Sequence, residues 1–340
     1  MEAVLAPAIR RRLLPSLGIF LLAGGFLLLA WVTWSWWRPG PAPYHYQLVK
    51  EGGVRDFAAL GLEDWPELKI ASYELRMDGI DTPLAVAQVA RRGAGAPVVL
   101  DWDNRSSEPL LSVDLQVAEL KALARAIMQH TPDGALLLGW WDTSRALHLL
   151  TGREVLFDAH LGEPLILPST WPERGRTIAR YEREFWGAPP AAAGLQRFRR
   201  FAEALSLPPV PGAAVLRELA GNREAYVVVH VSDLYKLGLM RPERLGVAFK
   251  DFPVKGDLHG PIGFVKRWMG DNHYSAYTVH ERSDSQARAY FLTDARSGET
   301  LLAQMLPFTV SRPAMLQALQ LVYQHGGYWV YRVPAAPPAH

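Results

Sequence analysis

A chain of 340 residues, 49% hydrophobic and 21% charged, is long enough to bury a sizeable core and has the usage of a folded protein. Its formal net charge of +2 leaves no basic footprint for nucleic acid. The absence of cysteine excludes disulfides, thiolate zinc sites, iron–sulfur clusters and the C-x-x-C-H attachment of c-type haem.

Leu13 to Trp37 reads LLPSLGIFLLAGGFLLLAWVTWSWW and carries no charge. A helix of that length crosses a hydrocarbon core of ~30 Å. Arg10, Arg11 and Arg12 precede it and Arg38 alone follows. The positive-inside rule therefore expects a cytoplasmic N-terminus, a single span of the bacterial inner membrane and a periplasmic main domain. Trp31, Trp34, Trp36 and Trp37 then form an aromatic belt at the outer interface. A cleaved signal peptide needs a shorter apolar core and a small-x-small site, whereas this run ends in tryptophans followed by Pro39-Gly40-Pro41. The expected division is a basic cytoplasmic N-terminus (1–12), an anchor (13–37), a linker and lead-in segment (38–67) and a periplasmic α/β domain (68–340).

Past the linker, LKIASYELRM (68–77) and LAVAQVARR (84–92) read as strands around a turn at Asp78 to Pro83. Pro97 to Leu100 is a short buried strand leading into Asp101-Trp102-Asp103-Asn104. Val113 to His130 has helical spacing, with Asp114 near its start. Ala135 to Leu138 reads as a strand, Asp142 or Thr143 as an N-cap, Ser144 to Leu150 as a helix, Gly152 as its C-cap and Glu154 to Phe157 as a strand. That is a β–α–β unit, the signature of a parallel sheet. Helices follow over 174–186, 195–206 and 213–221, then a central strand, Glu224 to His230, and a polar segment, Ser232 to Lys236. Strands are expected over 245–250, 274–280, 287–292, 301–305 and 328–333, and a helix over 311–323 with Pro313 near its first turn. The fold class predicted is α/β: one N-terminal transmembrane helix, then a mixed, mainly parallel sheet flanked by helices, with an antiparallel C-terminal continuation.

Trp140, Trp141 and Asp142 fall at the carboxyl end of a strand, where ligands collect in open α/β sheets. Asp142 also serves as a helix cap and the tryptophans as a packed corner, although each buried indole N–H needs a partner. Asp101, Asp103, Asp142 and Asp158 all follow apolar runs. If those strands are neighbours, the carboxylates converge to hold a hard cation or to do acid–base work; loop carboxylates with no such role are equally ordinary. No H-E-x-x-H, G-x-S-x-G, G-x-G-x-x-G or P-loop occurs, so no catalytic residue, resident metal or cofactor is assigned, and the balance tips away from an enzyme.

WWDTSRALHLLTGREVLFD, VVVHVSDLYKLGLMRPERL, AFKDFP, AYFLTD, LLAQMLPFTVSRP and ALQLVYQHGGYWVY together resemble the hydroxylamine oxidation protein HaoB family, from about Leu136 to Arg332. That family accompanies the octahaem hydroxylamine oxidoreductase in ammonia- and methane-oxidising bacteria. The resemblance implies a non-catalytic accessory role at the periplasmic membrane face, with the oxidoreductase or a c-type cytochrome as partner. A second, more distant resemblance is to the soluble domain of oligosaccharyltransferase catalytic subunits. Their W-W-D-Y-G is matched by Trp140, Trp141 and Asp142 but not by Thr143 and Ser144, and their D-x-x-K-x-x-x-M by Asp233, Lys236 and Met240. In that family the Trp-Trp-Asp recognises a hydroxyl residue of the acceptor peptide, and catalysis belongs to a many-span membrane region with no counterpart here. What this implies is the α/β architecture and a peptide-binding pocket at the Trp-Trp-Asp corner, with Asp233 and Lys236 as further candidate binding residues. A peptide- or metal-binding module, or an enzyme using the nearby carboxylates, is the alternative to the accessory role.

Overall fold

A computed structural model describes residues 7–37, 40–110, 113, 115–187, 191–221, 223–254, 259–283 and 285–334, with side chains outside 7–17, 35–37 and 259–261. Arg38, Pro39 and Asp114 lie outside the described residues, and the side chains of Arg10, Arg11, Arg12, Trp36 and Trp37 outside the described side chains.

Helix α1 spans Pro7–Trp37. Four strands follow as an antiparallel meander: β1 (His45–Gly53), β2 (Leu68–Arg76), β3 (Ala85–Arg92) and β4 (Val98–Asn104). The chain continues through α2 (Val117–His130), β5 (Leu136–Gly139), α3 (Trp141–Thr151) and β6 (Glu154–Val155). Three helices, α4 (Gly175–Trp186), α5 (Ala192–Ser206) and α6 (Pro209–Ala220), lead to β7 (Ala225–His230) and α7 (Asp233–Met240). Then come β8 (Val247–Pro253), α8 (His259–Asp271), β9 (Ala276–Ser283), β10 (Gln286–Leu292), α9 (Leu301–Met305) and the hairpin β11 (Gln320–His325) and β12 (Tyr328–Val333).

The organising element is a five-stranded sheet in the order β11-β12-β7-β5-β6. Every residue of β5 (LLLG) and β7 (AYVVVH) is buried, the unbroken apolar pattern of strands covered on both faces. Leu137, Tyr226, Val228, Tyr328 and Val330 point into one core, shared with Leu120 and Leu123 of α2 and with the meander. Leu136, Leu138, Val227, Val229 and Tyr331 point into the other, against Phe198, Phe201 and Leu216 of α5 and α6 and Leu301 of α9. Burying each such side chain contributes roughly 1.5–3 kcal/mol. A third sheet, β8-β10-β9, packs Phe252, Ala289 and Phe291 against Val265 of α8.

The mainly parallel sheet expected from the sequence is corrected: β5 runs parallel to β6 and β7, and every other ladder is antiparallel. Parallel pairing needs a long crossover, and α3 and the α4–α6 excursion supply the two that return a strand parallel to β5. Short turns join most of the other paired strands, and a tight turn returns a chain antiparallel.

Two expected elements also change type. Residues 301–305 form helix α9, capped by Thr300, whose Oγ1 accepts from the Ala303 N–H at 3.3 Å. The run Leu301-Leu302-Ala303 is apolar at consecutive positions, which fits a buried helix as well as a strand. Within 311–323 only a 3₁₀ turn, Pro313–Met315, is helical; Gln320 onward is β11, an edge strand folded onto β12 across Gly326-Gly327.

Among the described residues no helix is long and apolar enough to cross a membrane. Over 18–34 the side chains of α1 are nearly all exposed, Phe20, Phe26 and Trp31 by 70% or more.

Candidate functional site

Parallel neighbours β5 and β7 end at the same edge of the central sheet, so the helices that follow, α3 and α7, begin side by side. That juxtaposition brings Trp140, Asp142, Asp233 and Lys236 together across ninety-odd residues of chain, since Lys236 Nζ donates to Asp142 Oδ2 at 2.7 Å with a sequence separation of 94. It also reaches Asp233 Oδ1 at 3.3 Å and lies 5.7 Å above the Trp140 ring. Asp233 Oδ2 accepts from the His230 backbone N–H at 2.9 Å, which ties α7 back to β7. Trp140, Asp233 and Lys236 are all buried. Burial by itself would lower the Lys236 ammonium, but Asp142 and Asp233 outweigh it and hold it protonated. Two carboxylates share this one cation, so burial and the Asp142 charge push Asp233 up despite Lys236.

The helix cap falls two or three residues earlier than expected. Trp140 takes the N-cap position of α3 without a side-chain bond, and the Asp142 carboxylate accepts from the N–H of Thr143 at 2.7 Å. Asp142 therefore serves the first turn and Lys236 at once.

Trp141 faces the other way, into a cavity of ≈ 50 Å³ lined by Trp102, Asp142, Arg145, His160 and Trp186 among others. Its indole N–H donates to the Glu163 carbonyl at 2.6 Å, and its ring lies 4.2 Å from His160, which stacks on Trp186 at 6.2 Å. Arg145 donates to the Pro97 carbonyl at 2.7 Å. Its Nε, the Trp102 Nε1 and the His160 Nδ1 are buried without a hydrogen-bond partner. Burial lowers Arg145 to about 10, opposed by Asp142 and Asp158. Burial, then Arg145, lowers His160 to about 3, so its imidazole is neutral. Glu182, at the cavity wall, accepts from the Tyr44 hydroxyl at 2.6 Å, the Tyr46 hydroxyl at 2.9 Å and the Trp186 indole at 2.7 Å. Burial still pushes its carboxyl up to about 7 against those three donors.

The other carboxylates do not join this site. Asp101 Oδ1 accepts from the Val117 N–H at 2.9 Å, capping α2 from the neighbouring strand. Asp103 is exposed and pairs with Arg105 at 3.0 Å, and Asp158 is exposed, reaching the site only through its charge on Arg145. Among the described residues the one group able to hold a metal ion is Glu119, His230 and His280, from α2, β7 and β9. Sequence reasoning missed it because its members lie on three distant elements with no local spacing to betray them.

A family model described as HaoA-associated protein HaoB matches residues 10–333. No curated protein matches. Among solved structures, the crystal structure of the C. jejuni PglB C-terminal domain is similar at a TM-score of 0.35 and 11% identity, over 63% of this chain and 98% of that one. This is the kind of distant likeness the Trp-Trp-Asp segment suggested, too distant to bear on the site.

Proposed function

The chain belongs to the HaoA-associated protein HaoB family, and from that membership we propose that it is a membrane-anchored accessory protein of hydroxylamine oxidation. In this reading it holds the octahaem oxidoreductase, or a c-type cytochrome partner, at the periplasmic face of the inner membrane. The observation that carries the reading is the family match itself, which runs through α1 and the globular part alike. Helix α1 supports the anchoring, because a helix with apolar side chains exposed around its described length needs an apolar surrounding. The Trp141 cavity is the recognition point in this proposal. Its volume suits a few water molecules or one inserted side chain, at about 10–15 Å³ per water. The unpartnered N–H groups of Arg145 and Trp102 favour a partner side chain that carries an acceptor.

Co-purification from solubilised membranes after mild cross-linking tests the association. The oxidoreductase is expected with the chain, and clean separation of the two would overturn the reading. Trp141→Ala should abolish capture by a chain that still folds cooperatively, at some cost in stability from the lost packing; undiminished capture would remove the cavity from the interface. Orientation is open to a labelling test because the chain has no cysteine. Met315→Cys, at a 69% exposed position, should react with a membrane-impermeant maleimide in spheroplasts before lysis. Labelling only after lysis would reverse the topology.

A further inference from the structure

Glu119 sits between two buried imidazoles. Its Oε1 lies 3.0 Å from His280 Nε2, and its Oε2 3.5 Å from His230 Nε2. The three groups offer one ligand atom each, all within 4.8 Å of one another. We propose that Glu119, His230 and His280 form a binding site for a single divalent first-row transition ion, independent of the Trp141 cavity.

Three features argue for an ion over a simple hydrogen-bonded trio. Metal–ligand bonds of ~2.0–2.1 Å in a tetrahedral site separate the ligand atoms by roughly 3.3–3.4 Å, and each Nε2 lies within 3.0–3.5 Å of one oxygen of the Glu119 carboxylate, so a small shift brings all three groups to that spacing. His230 Nε2 is buried and has no hydrogen-bond partner although it faces the carboxylate. The opposite nitrogen of that ring, Nδ1, accepts from the Ser232 backbone N–H at 3.2 Å and lies 2.7 Å from Ser232 Oγ. Lastly, the β11–β12 turn passes directly over the group. A Cβ on Gly327 would overlap His230 Nε2 and stand 3.0 Å from His280 Nε2, and one on Gly326 would overlap the Glu119 carboxylate. Glycine at both positions keeps backbone close to the ligand atoms while leaving room for an ion.

Access is open as well. A cleft of ≈ 400 Å³, lined by Gln116, Glu119, His280, Arg282, Gln324 and Gly326, reaches two of the three ligands from solvent. Two imidazoles and one carboxylate suit Zn²⁺, Co²⁺ or Fe²⁺ better than Ca²⁺ or Mg²⁺, which take oxygen ligands. Three protein ligands leave a coordination position free on the cleft side for water.

Chelator-stripped full chain, titrated with Co²⁺ and followed by its visible ligand-field band, tests the proposal. Saturation at one Co²⁺ per chain is expected, with displacement by one equivalent of Zn²⁺. His280→Gln and Glu119→Gln should each weaken binding by roughly tenfold or more, while His130→Gln, outside the group, changes nothing. No band with the wild-type chain, or binding as tight as wild type in both ligand variants, would overturn it. Anomalous diffraction from Co²⁺-loaded crystals decides the matter without any variant. A peak between Glu119 and the two Nε2 atoms supports the site, and a peak anywhere else refutes it.

Discussion

Replacing Lys236 with methionine leaves Asp142 and Asp233 facing one another in a buried corner with no cation between them. Removing one partner of a buried charge cluster costs about 3–5 kcal/mol, so Lys236→Met should lower the urea-unfolding free energy by that order. Asp142→Asn leaves the Asp233–Lys236 pair intact, and the loss should be nearer 1 kcal/mol. Equal losses in the two variants would mean the corner is not organised around the ammonium. Glu182 gives a pH signature. Its carboxyl lies at about 7 in the fold against an ordinary 4.5, so the folded chain holds that proton more tightly than the unfolded one. Its contribution is full below about pH 4.5 and is lost as pH rises through about 7, on the order of 3 kcal/mol in total. His160 has the opposite sign: lowered from 6.5 to about 3, it loses its contribution as pH falls below 6.5. Subtracting the Glu182→Gln stability curve from that of wild type isolates the first effect, and a flat difference between pH 4.5 and 7 would refute it.

At the scale of elements, α5 and α6 meet so closely that a Cβ on Gly212 would stand 2.5 Å from the Ala204 carbonyl and 2.9 Å from Leu301. Gly212→Ala should therefore destabilise by about 1–3 kcal/mol, through overpacking. Gly194→Ala, on α5 with open space around it, should stabilise by about 0.5–1 kcal/mol. Thermal melts of the two variants should move in opposite directions. Which elements were legible in the sequence follows the same logic of local information. The unit β5–α3–β6 was readable because an apolar run, a helical period and Gly152 in a left-handed conformation are all local signals. Residues 301–305 and 320–325 were misread because short apolar stretches carry no decisive period, and burial against α5 or pairing with β12 decides their conformation. The strand β1 lies inside the segment taken as linker; there Tyr44 and Tyr46 earn burial only by meeting Glu182 and the aromatics of α4.

For the molecule as a whole, the buried core begins at Tyr44, and α1 contributes none of its described side chains to it. A chain beginning at residue 40 should unfold at the same midpoint as the full chain in detergent, measured by circular dichroism. A large drop would show that α1 packs on the domain. The sequence by itself determined the apolar N-terminal helix, the α/β composition, the parallel β–α–β unit and the family, because each is written in local pattern or in residue identity along the chain. Tertiary structure alone decided that most ladders are antiparallel, since that depends on which strands become neighbours. It also decided which acidic residues act together. Asp101, Asp103 and Asp158 followed apolar runs as Asp142 did, yet only Asp142 stands beside Lys236, because α3 and α7 begin side by side after the neighbouring strands β5 and β7. The same adjacency, with α2 and β9 closing over it, gathers Glu119, His230 and His280 from positions far apart in the chain. Convergence of that kind is a property of strand order, and strand order is set by packing between elements rather than by the spacing of residues within them.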